Sequence, residues 1–238
     1  MPWQESNFGG LTNIEICMSL EDGLNQLHPL SESDKQILKH RRKQLHYAKG
    51  ENIFKQGAFA PYVMHVQSGL VKVYLQTGHN KQVNIRIAKR GDFLAFSSVF
   101  GEEVYTYSAV ALKDADICMI DKEGLRQLLY QNNAFAMEIT SNNYKNERQL
   151  LDIITSISYK QMRGKLATAL LYLSQPYLLE EDIFQHLTRQ DVAEFASIST
   201  ESAVKFLKEF EKEELVVLDG KDIRILDLKA LKNLAKNG

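Results

Sequence analysis

Between Tyr47 and about Ile120 the chain is a series of short runs of alternating apolar and polar residues, punctuated by glycine. "LVKVYL" and "VNIRI" carry an apolar residue at every second position, the pattern of a half-buried strand. Gly50, Gly57, Gly69, Gly78 and Gly91 fall where the chain must turn. Many short strands with turns between them predict an antiparallel roll or barrel.

The flanks have another texture. Before the strands, "SESDKQILKHRRKQL" predicts a short charged helix, with Ser31 and Asp34 spaced as a weaker form of the capping box. After them, from about Lys122 to Ser158, Gly124 is the only glycine and helical periodicity takes over. Ile139, Asn143, Asn146, Leu150, Ile153 and Ile157 recur at spacings of four and three, the seam of a two-stranded coiled coil. The same stripe would also serve a helix packed on its own β-domain, so both readings stay open.

The last third starts near Tyr159 with "YKQMRGKLATALLYLSQ", an amphipathic helix that Pro176 brings to an end. "LTRQDVAEFASISTESAVKFLKEF" then holds two short helical patterns around Ala196-Ser197-Ile198. Ala193 is the small residue that lets two helices approach, and Val192, Ala196, Ile198, Ala203 and Phe206 are apolar where the angle between them must be filled. Thr188 and Ser199 are suitable N-caps, and Ser197 stands at the turn position most often given to glycine. "LVVLDGKDIRIL" follows, two apolar runs around Asp219-Gly220 that predict a hairpin, and "DLKALKNLAKNG" closes the chain as a short helix. Helix, helix-turn-helix and hairpin in that order are the parts of a winged helix domain. Its second helix carries Thr200, Glu201, Ser202 and Lys205 outward, near the end that enters the major groove in such motifs. The alternative for Glu201 and Lys205 is an i,i+4 ion pair on a solvated face. Arg189, at the start of the first helix, is the expected phosphate contact.

Charge argues for a local patch and against a general one. The 238 residues include 29 Lys and Arg against 30 Asp and Glu, a net charge of −1, so any nucleic-acid affinity must come from the phosphates one surface neutralises. Cys17 and Cys118 are the only cysteines, which supports no disulfide framework, zinc ribbon or four-cysteine cluster. "MPWQESNFGG" has no basic start followed by an apolar run, and no stretch approaches the ~20 apolar residues of a membrane span, so a cytoplasmic location is expected. No nucleophile elbow, phosphate-binding loop, zinc-protease motif or dinucleotide fingerprint is present, and no enzymatic activity is expected.

Taken together, "ENIFKQGAFAPYVMHVQSGLVKVYL", "RGDFLAFSSVF", the long helix and "LTRQDVAEFASISTESAVKFL" resemble the Crp/Fnr family of bacterial transcription regulators over nearly the whole chain. The resemblance implies an α+β fold: a cyclic-nucleotide-binding-like β-roll (jelly roll) over 1–133, a connecting dimerisation helix over 134–158 and a winged helix-turn-helix over 159–238. It also implies a homodimer that binds two-fold symmetric double-stranded DNA through Arg189, Ser199, Thr200, Glu201, Ser202 and Lys205, and that works with RNA polymerase. Members that bind cyclic AMP carry a Glu for the ribose and an Arg-Ser pair for the phosphate; the corresponding positions here read Phe96, Tyr107 and Ser108. A buried phosphate with no paired Arg is costly, so cyclic AMP is not expected in the usual pose, and no cofactor or metal is expected. Phe96, Ser97, Ser98, Tyr107 and Ser108 are the candidate lining for a less polar effector. The cluster-bearing branch needs more cysteines than this chain has, and His65 and His79 read as plain structural residues more readily than as haem ligands. At the recognition positions the Arg-Glu-x-x-x-Arg of the cyclic-AMP receptor becomes Thr200-Glu201-x-x-x-Lys205, so a different half-site is implied. Two alternatives stay open: a sensor of an unorthodox small molecule, and an adaptor whose winged helix binds protein, for which the acidic "EFEKEE" is the support.

Overall fold

The computed structural model describes residues 30–78 and 81–238, except for the side chains of 145–149, 157 and 237. Cys17, His79 and the side chains of Asn146 and Ile157 therefore lie outside the described residues. The first element is α1 (Glu32–Leu38), closed at its start by the reciprocal Ser31–Asp34 capping box. The expected helix stops sooner than its charged pattern suggested. Arg42–Tyr47 is strand β1, paired antiparallel with a later strand from Arg42 opposite Ile120 to Tyr47 opposite Ala115. A run of charged residues has no apolar period of its own, and pairing decides its conformation.

The remaining strands are β2 (Asn52–Phe54), β3 (Tyr62–Gly78), β4 (Lys81–Ala88), β5 (Phe93–Leu94) and β6 (Ser108–Asp121). They form one antiparallel sheet in the order β1-β6-β3-β4, with β2 on β6 and β5 on β3. β3 and β6 are long, and their register shifts between Val66 and Ser68, Ser68 and Leu70, and Leu70 and Val71. Such irregularities bend a strand and increase its twist, which rolls the sheet around a core of Met64, Val66, Val71, Val73, Ala109 and Ile117. Gly69 sits in this bend at φ +84; a Cβ there would lie 2.2 Å from the Asp114 carbonyl oxygen, so only glycine fits.

α2 (Lys122–Gln131) and α3 (Asn133–Tyr159) follow, separated at Asn132. The Asn132 side chain accepts from the Phe135 N–H and donates to Asp34, which fastens the start of α3 to α1. Phe135 and Ile139 are then buried with Leu38, Val63, Leu125 and Leu128 in a second core between the helices and the sheet.

The third core belongs to the C-terminal unit. It comprises α4 (Met162–Leu173), short helices α5 (Pro176–Leu179) and α6 (Ile183–His186), α7 (Arg189–Ala196), α8 (Thr200–Lys212), hairpin β7 (Val216–Asp219) and β8 (Asp222–Ile225), and α9 (Leu228–Asn237). Pro176 occupies the first turn of α5, where its missing N–H is not needed. Leu70, Ile87 and Leu112 of the roll are buried in this same core, so the outer face of the sheet is covered by the C-terminal unit.

A one-residue irregularity sets what each face of β4 presents. Val73 is opposite Arg86 and Tyr74 is opposite Asn84, which leaves Ile85 unpaired as a bulge. Directly opposed residues of an antiparallel pair share a face, and an extra residue inverts the alternation beyond it. Arg86 therefore joins Val73 on the inside of the roll, while Asn84 and Ile87 join Tyr74 and Lys72 on the outside.

His65, opposite Phe93 and Cys118, is fully buried, with its ring 4.8 Å from that of Phe93. Neither ring nitrogen has a hydrogen-bond partner among the described residues, and burial, reinforced by Arg90, lowers its pKa to about 4. The unfolded chain takes up this proton near pH 6.5, whereas the folded chain refuses it down to about 4. Stability contributed at neutral pH is thus lost as pH falls through that window, by roughly 3 kcal/mol, and the loss levels off below it. In His65→Phe the fall in thermal stability between pH 6.5 and 4 should be smaller by about that amount; parallel curves for the two proteins would refute the assignment.

Candidate nucleic-acid interface and effector cavity

The helix-turn-helix is set by its caps. Thr188 and Asp191 form a reciprocal capping box at the start of α7, and the Ser199 hydroxyl accepts from the Ser202 N–H at the start of α8. Both caps stand where the sequence predicts them. Val192, Ala193, Ala196 and Ala203 are buried, and Ile198 and Phe206 pack against them half-buried. Leu207 and Phe210, which continue the Ala203 face at i+4 and i+7, are buried too and complete the inward side.

With that side fixed, Thr200, Glu201, Ser202 and Lys205 lie on the first half of α8. Glu201 and Lys205 are exposed, Thr200 and Ser202 half-buried. The Glu201 carboxyl is held below its ordinary pKa by its own backbone N–H and then by the Ser199 hydroxyl. No ion pair joins Glu201 to Lys205: the Lys205 ammonium lies 3.9 Å from Glu209 instead, with its side chain 70% exposed. Glu201 has no ion-pair partner among the described residues.

Arg189, the expected phosphate contact, also has a place within the domain. Its guanidinium donates to the carbonyls of Gly220 (2.7 Å) and Lys221 (3.3 Å), clamping the start of α7 to the hairpin turn. The turn itself is Gly220-Lys221, because Asp219 and Asp222 are the last opposed pair of the hairpin. The acidic run behind the recognition helix is also engaged within the domain. Arg163 reaches Glu209 (3.3 Å) and Glu213 (2.7 Å), and Glu211 accepts from the Leu218 N–H.

In the roll, a cavity of about 530 Å³ lies between the sheet and α3. Val73, Ile85, Phe93, Phe96, Phe100 and Leu150 make its walls apolar, and Ser97 and Tyr107 line it as expected. Ser98 and Ser108 do not. The Ser98 hydroxyl turns back to the Ala95 carbonyl, and the Ser108 hydroxyl accepts from the Gln56 N–H, so both are spent on local backbone. The charged residue in the lining is Arg86, which sequence reading missed. In "VNIRI" strict alternation puts Arg86 on the polar face, and only the Ile85 bulge turns it inward. Its guanidinium is held by the Phe93 carbonyl (2.9 Å) and Asp92 (3.3 Å). Burial pushes the Tyr107 phenol pKa up against the opposing pull of Arg86, and its oxygen accepts from the Ala95 N–H at 2.6 Å.

Of the stripe expected to form a dimer seam, most of the described side chains turn toward the roll, while Leu150 is 39% exposed. Ile139 is buried, Asn143 and Leu150 line the cavity, Ile153 packs on the roll core, and the Asn143 amide donates to the Ile139 carbonyl of its own helix. α3 has a second apolar stripe, and it is the exposed one: Met137, Tyr144, Leu151 and Ile154. Spacings of seven, seven and three place these four on one face.

A nucleotide-sensor-like roll joined through one long helix to a winged helix-turn-helix defines a regulator with a sensing and a DNA-reading unit. The comparisons with known proteins agree. Residues 44–132 match the cyclic nucleotide-binding domain family and residues 164–234 the Crp-like helix-turn-helix domain family. The chain is 28% identical over 172 residues to the anaerobic regulatory protein of Bacillus subtilis, covering 70% of this chain and 72% of that one. It is 26% identical over 231 residues to the fumarate and nitrate reduction regulatory protein of Vibrio cholerae, covering 93% and 87%. The fold is also that of the c-di-GMP-responsive global regulator CLP of Xanthomonas campestris, with a TM-score of 0.70 at 16% identity over 83% of this chain and 100% of that one. The chain belongs to the Crp/Fnr family and is a DNA-binding transcription regulator with a cyclic-nucleotide-binding-like domain.

The turn of the helix-turn-helix stores a small strain. Ser197 adopts a left-handed conformation, φ 51 and ψ 45, and its buried hydroxyl has no hydrogen-bond partner among the described residues. Ser197→Gly should therefore raise stability by about 1 kcal/mol in chemical denaturation; a loss would show that the hydroxyl makes a contact worth more than the strain.

Proposed function

We propose that the chain acts as a homodimer on a two-fold symmetric DNA site, reads sequence with the first half of α8, and passes its signal to RNA polymerase. The uncovered outer face of α8 is the observation that carries this reading. Glu201 can accept from a cytosine amino group, and Lys205 can donate to guanine or phosphate. Glu201 has no ion-pair partner among the described residues and Lys205 has only a long, exposed contact to Glu209 (3.9 Å), whereas Glu209, Glu211 and Glu213 of the acidic run are engaged within the domain. The exposed stripe of α3 supports a partner helix, since four large apolar side chains along one helix face lower their free energy by pairing with a second copy.

The sensing site in this proposal is the roll cavity, and its effector is not cyclic AMP in the usual pose. The Phe96 and Tyr107 side chains take space that a ribose and a cyclic phosphate would need polar partners for. Arg86 is the one cation in the lining, and it already serves Asp92 and the Phe93 carbonyl. A largely apolar molecule fits this wall better than a nucleotide.

Selection of bound duplexes from a random pool should enrich a palindrome with half-sites about one helical turn apart. The Glu201→Gln, Lys205→Met double variant should lose base preference at the contacted positions by about 1–3 kcal/mol per base pair while remaining dimeric; unchanged site selection would remove α8 as the reader. Leu151→Asp with Ile154→Asp should weaken self-association at least about tenfold in sedimentation, and Ile139 needs no change for this effect. A dimer that survives the pair unaltered would place the interface elsewhere.

A further inference from the structure

A second cavity, of about 310 Å³, lies where the end of α3, α4, α7 and β4 meet. Ile85 is the one lining residue it shares with the roll cavity. Ile85, Ile153 and Phe195 form an apolar floor, and the Tyr172 ring, 5.7 Å from that of Phe195, forms a wall. The lining also holds one cation and one anion, Lys160 and Asp152. The Lys160 ammonium donates to the Thr168 hydroxyl at 2.8 Å, and the Thr168 hydroxyl donates to the Gly164 carbonyl. Among the described residues neither Lys160 nor Asp152 is in a direct ion pair, but the two act on each other: burial lowers the Lys160 pKa and the Asp152 charge opposes it.

An ammonium and a carboxylate that face one cavity with no direct ion pair between described residues are complementary to a molecule with both charges on groups of one carbon and an apolar tail. We infer that this cavity binds a free α-amino acid with a large apolar side chain. Its carboxylate meets Lys160 and Thr168, its ammonium meets Asp152, and its side chain lies against Ile153, Tyr172 and Phe195. The volume is at the lower end of small-molecule sites, which favours a single amino acid over a larger metabolite.

The position gives such a ligand a regulatory role. The walls come from the connecting helix, the DNA-reading unit and the roll, and they adjoin the contacts that hold α7 on β4. Gln82 donates to Glu194 at 2.6 Å, and the Asn84 amide donates to the Asp191 carbonyl at 3.0 Å. Ile85 follows Asn84 and Phe195 follows Glu194, so the docked arrangement itself builds the cavity. A ligand that binds only this arrangement raises its population by its differential affinity.

Calorimetric titration of the full chain with L-phenylalanine and L-leucine tests this. Saturable binding of one per chain is expected at millimolar concentration or below. 3-Phenylpropionate, which lacks the ammonium, and 2-phenylethylamine, which lacks the carboxylate, should each bind at least about tenfold more weakly than L-phenylalanine. Lys160→Met and Asp152→Asn should weaken it by a similar factor, and Arg86→Met, in the roll cavity, should leave it unchanged. Absence of saturable binding for both amino acids would overturn the inference. So would binding that Arg86→Met removes and Lys160→Met leaves intact.

Discussion

The buried contact between Lys72 on β3 and Asp191 in the first turn of α7, at 2.5 Å, joins the outer face of the roll to the helix-turn-helix. The same carboxylate accepts from the Thr188 N–H (2.8 Å) and completes the box that starts α7, while the Asp191 carbonyl takes the amide of Asn84. Burial raises the Asp191 pKa, but the Lys72 ammonium and the Thr188 groups outweigh it and hold the carboxyl below its ordinary range. Removing Lys72 strands the Asp191 carboxylate away from water, typically at a cost of about 3–5 kcal/mol, whereas Lys72 without Asp191 keeps Glu194 at 3.8 Å. The pair is a weak source of net stability and a strong source of position. An apolar replacement of both would fill the same volume without specifying which turn of α7 faces which residue of β3.

That position is possible because of a single extra residue in β4. Without the bulge at Ile85, strict alternation would carry Asn84, Arg86 and Ala88 to one face and Ile85 and Ile87 to the other. With it, Asn84 and Ile87 both look outward to the C-terminal unit, and Arg86 looks into the roll. One irregularity thus supplies a polar contact for α7, an apolar residue for the shared core, and a cation for the cavity. It also explains why Asn84 to Ala88 are all buried although their sequence has the polarity of a half-exposed strand.

Which parts were legible in the sequence follows from how local their causes are. The capping residues Ser31, Thr188 and Ser199 act within three residues of themselves, and each stands where the pattern placed it. The helix-turn-helix was readable for the same reason, since its angle is filled by residues of the two helices concerned. Arg42–Leu45 reads as the tail of a helix because its strand character comes from β6, about seventy residues away, and not from its own composition. Ser98 and Ser108 resembled lining residues by position alone, and their hydroxyls are claimed by backbone groups that sequence spacing does not reveal. α3 presented two apolar stripes, and which one the roll covers depends on contacts distant in sequence: Ile139 and Ile153 pack on the roll, while Met137, Tyr144, Leu151 and Ile154 are exposed.

The two stripes of α3 bear on how the chain can move. One face of the helix is fixed to the roll, so the DNA-reading unit is attached through what lies beyond Tyr159. That joint is short: α3 ends at Tyr159, Lys160 is extended at φ −89 and ψ 149, Gln161 caps the next helix, and α4 begins at Met162. Reorientation about two residues is a hinge with few degrees of freedom. The unit is therefore held by the covalent joint on one side and by its packing on the roll on the other, where Leu70, Ile87 and Leu112 enter its core and α7 meets β3 and β4. With the joint permissive and unable to slide, the second contact decides the orientation. Lys72 from β3 and Asp191 from α7 belong to that contact, and the residues packed between it and the hinge, Ile85, Tyr172 and Phe195, are where a change in packing would be felt at both.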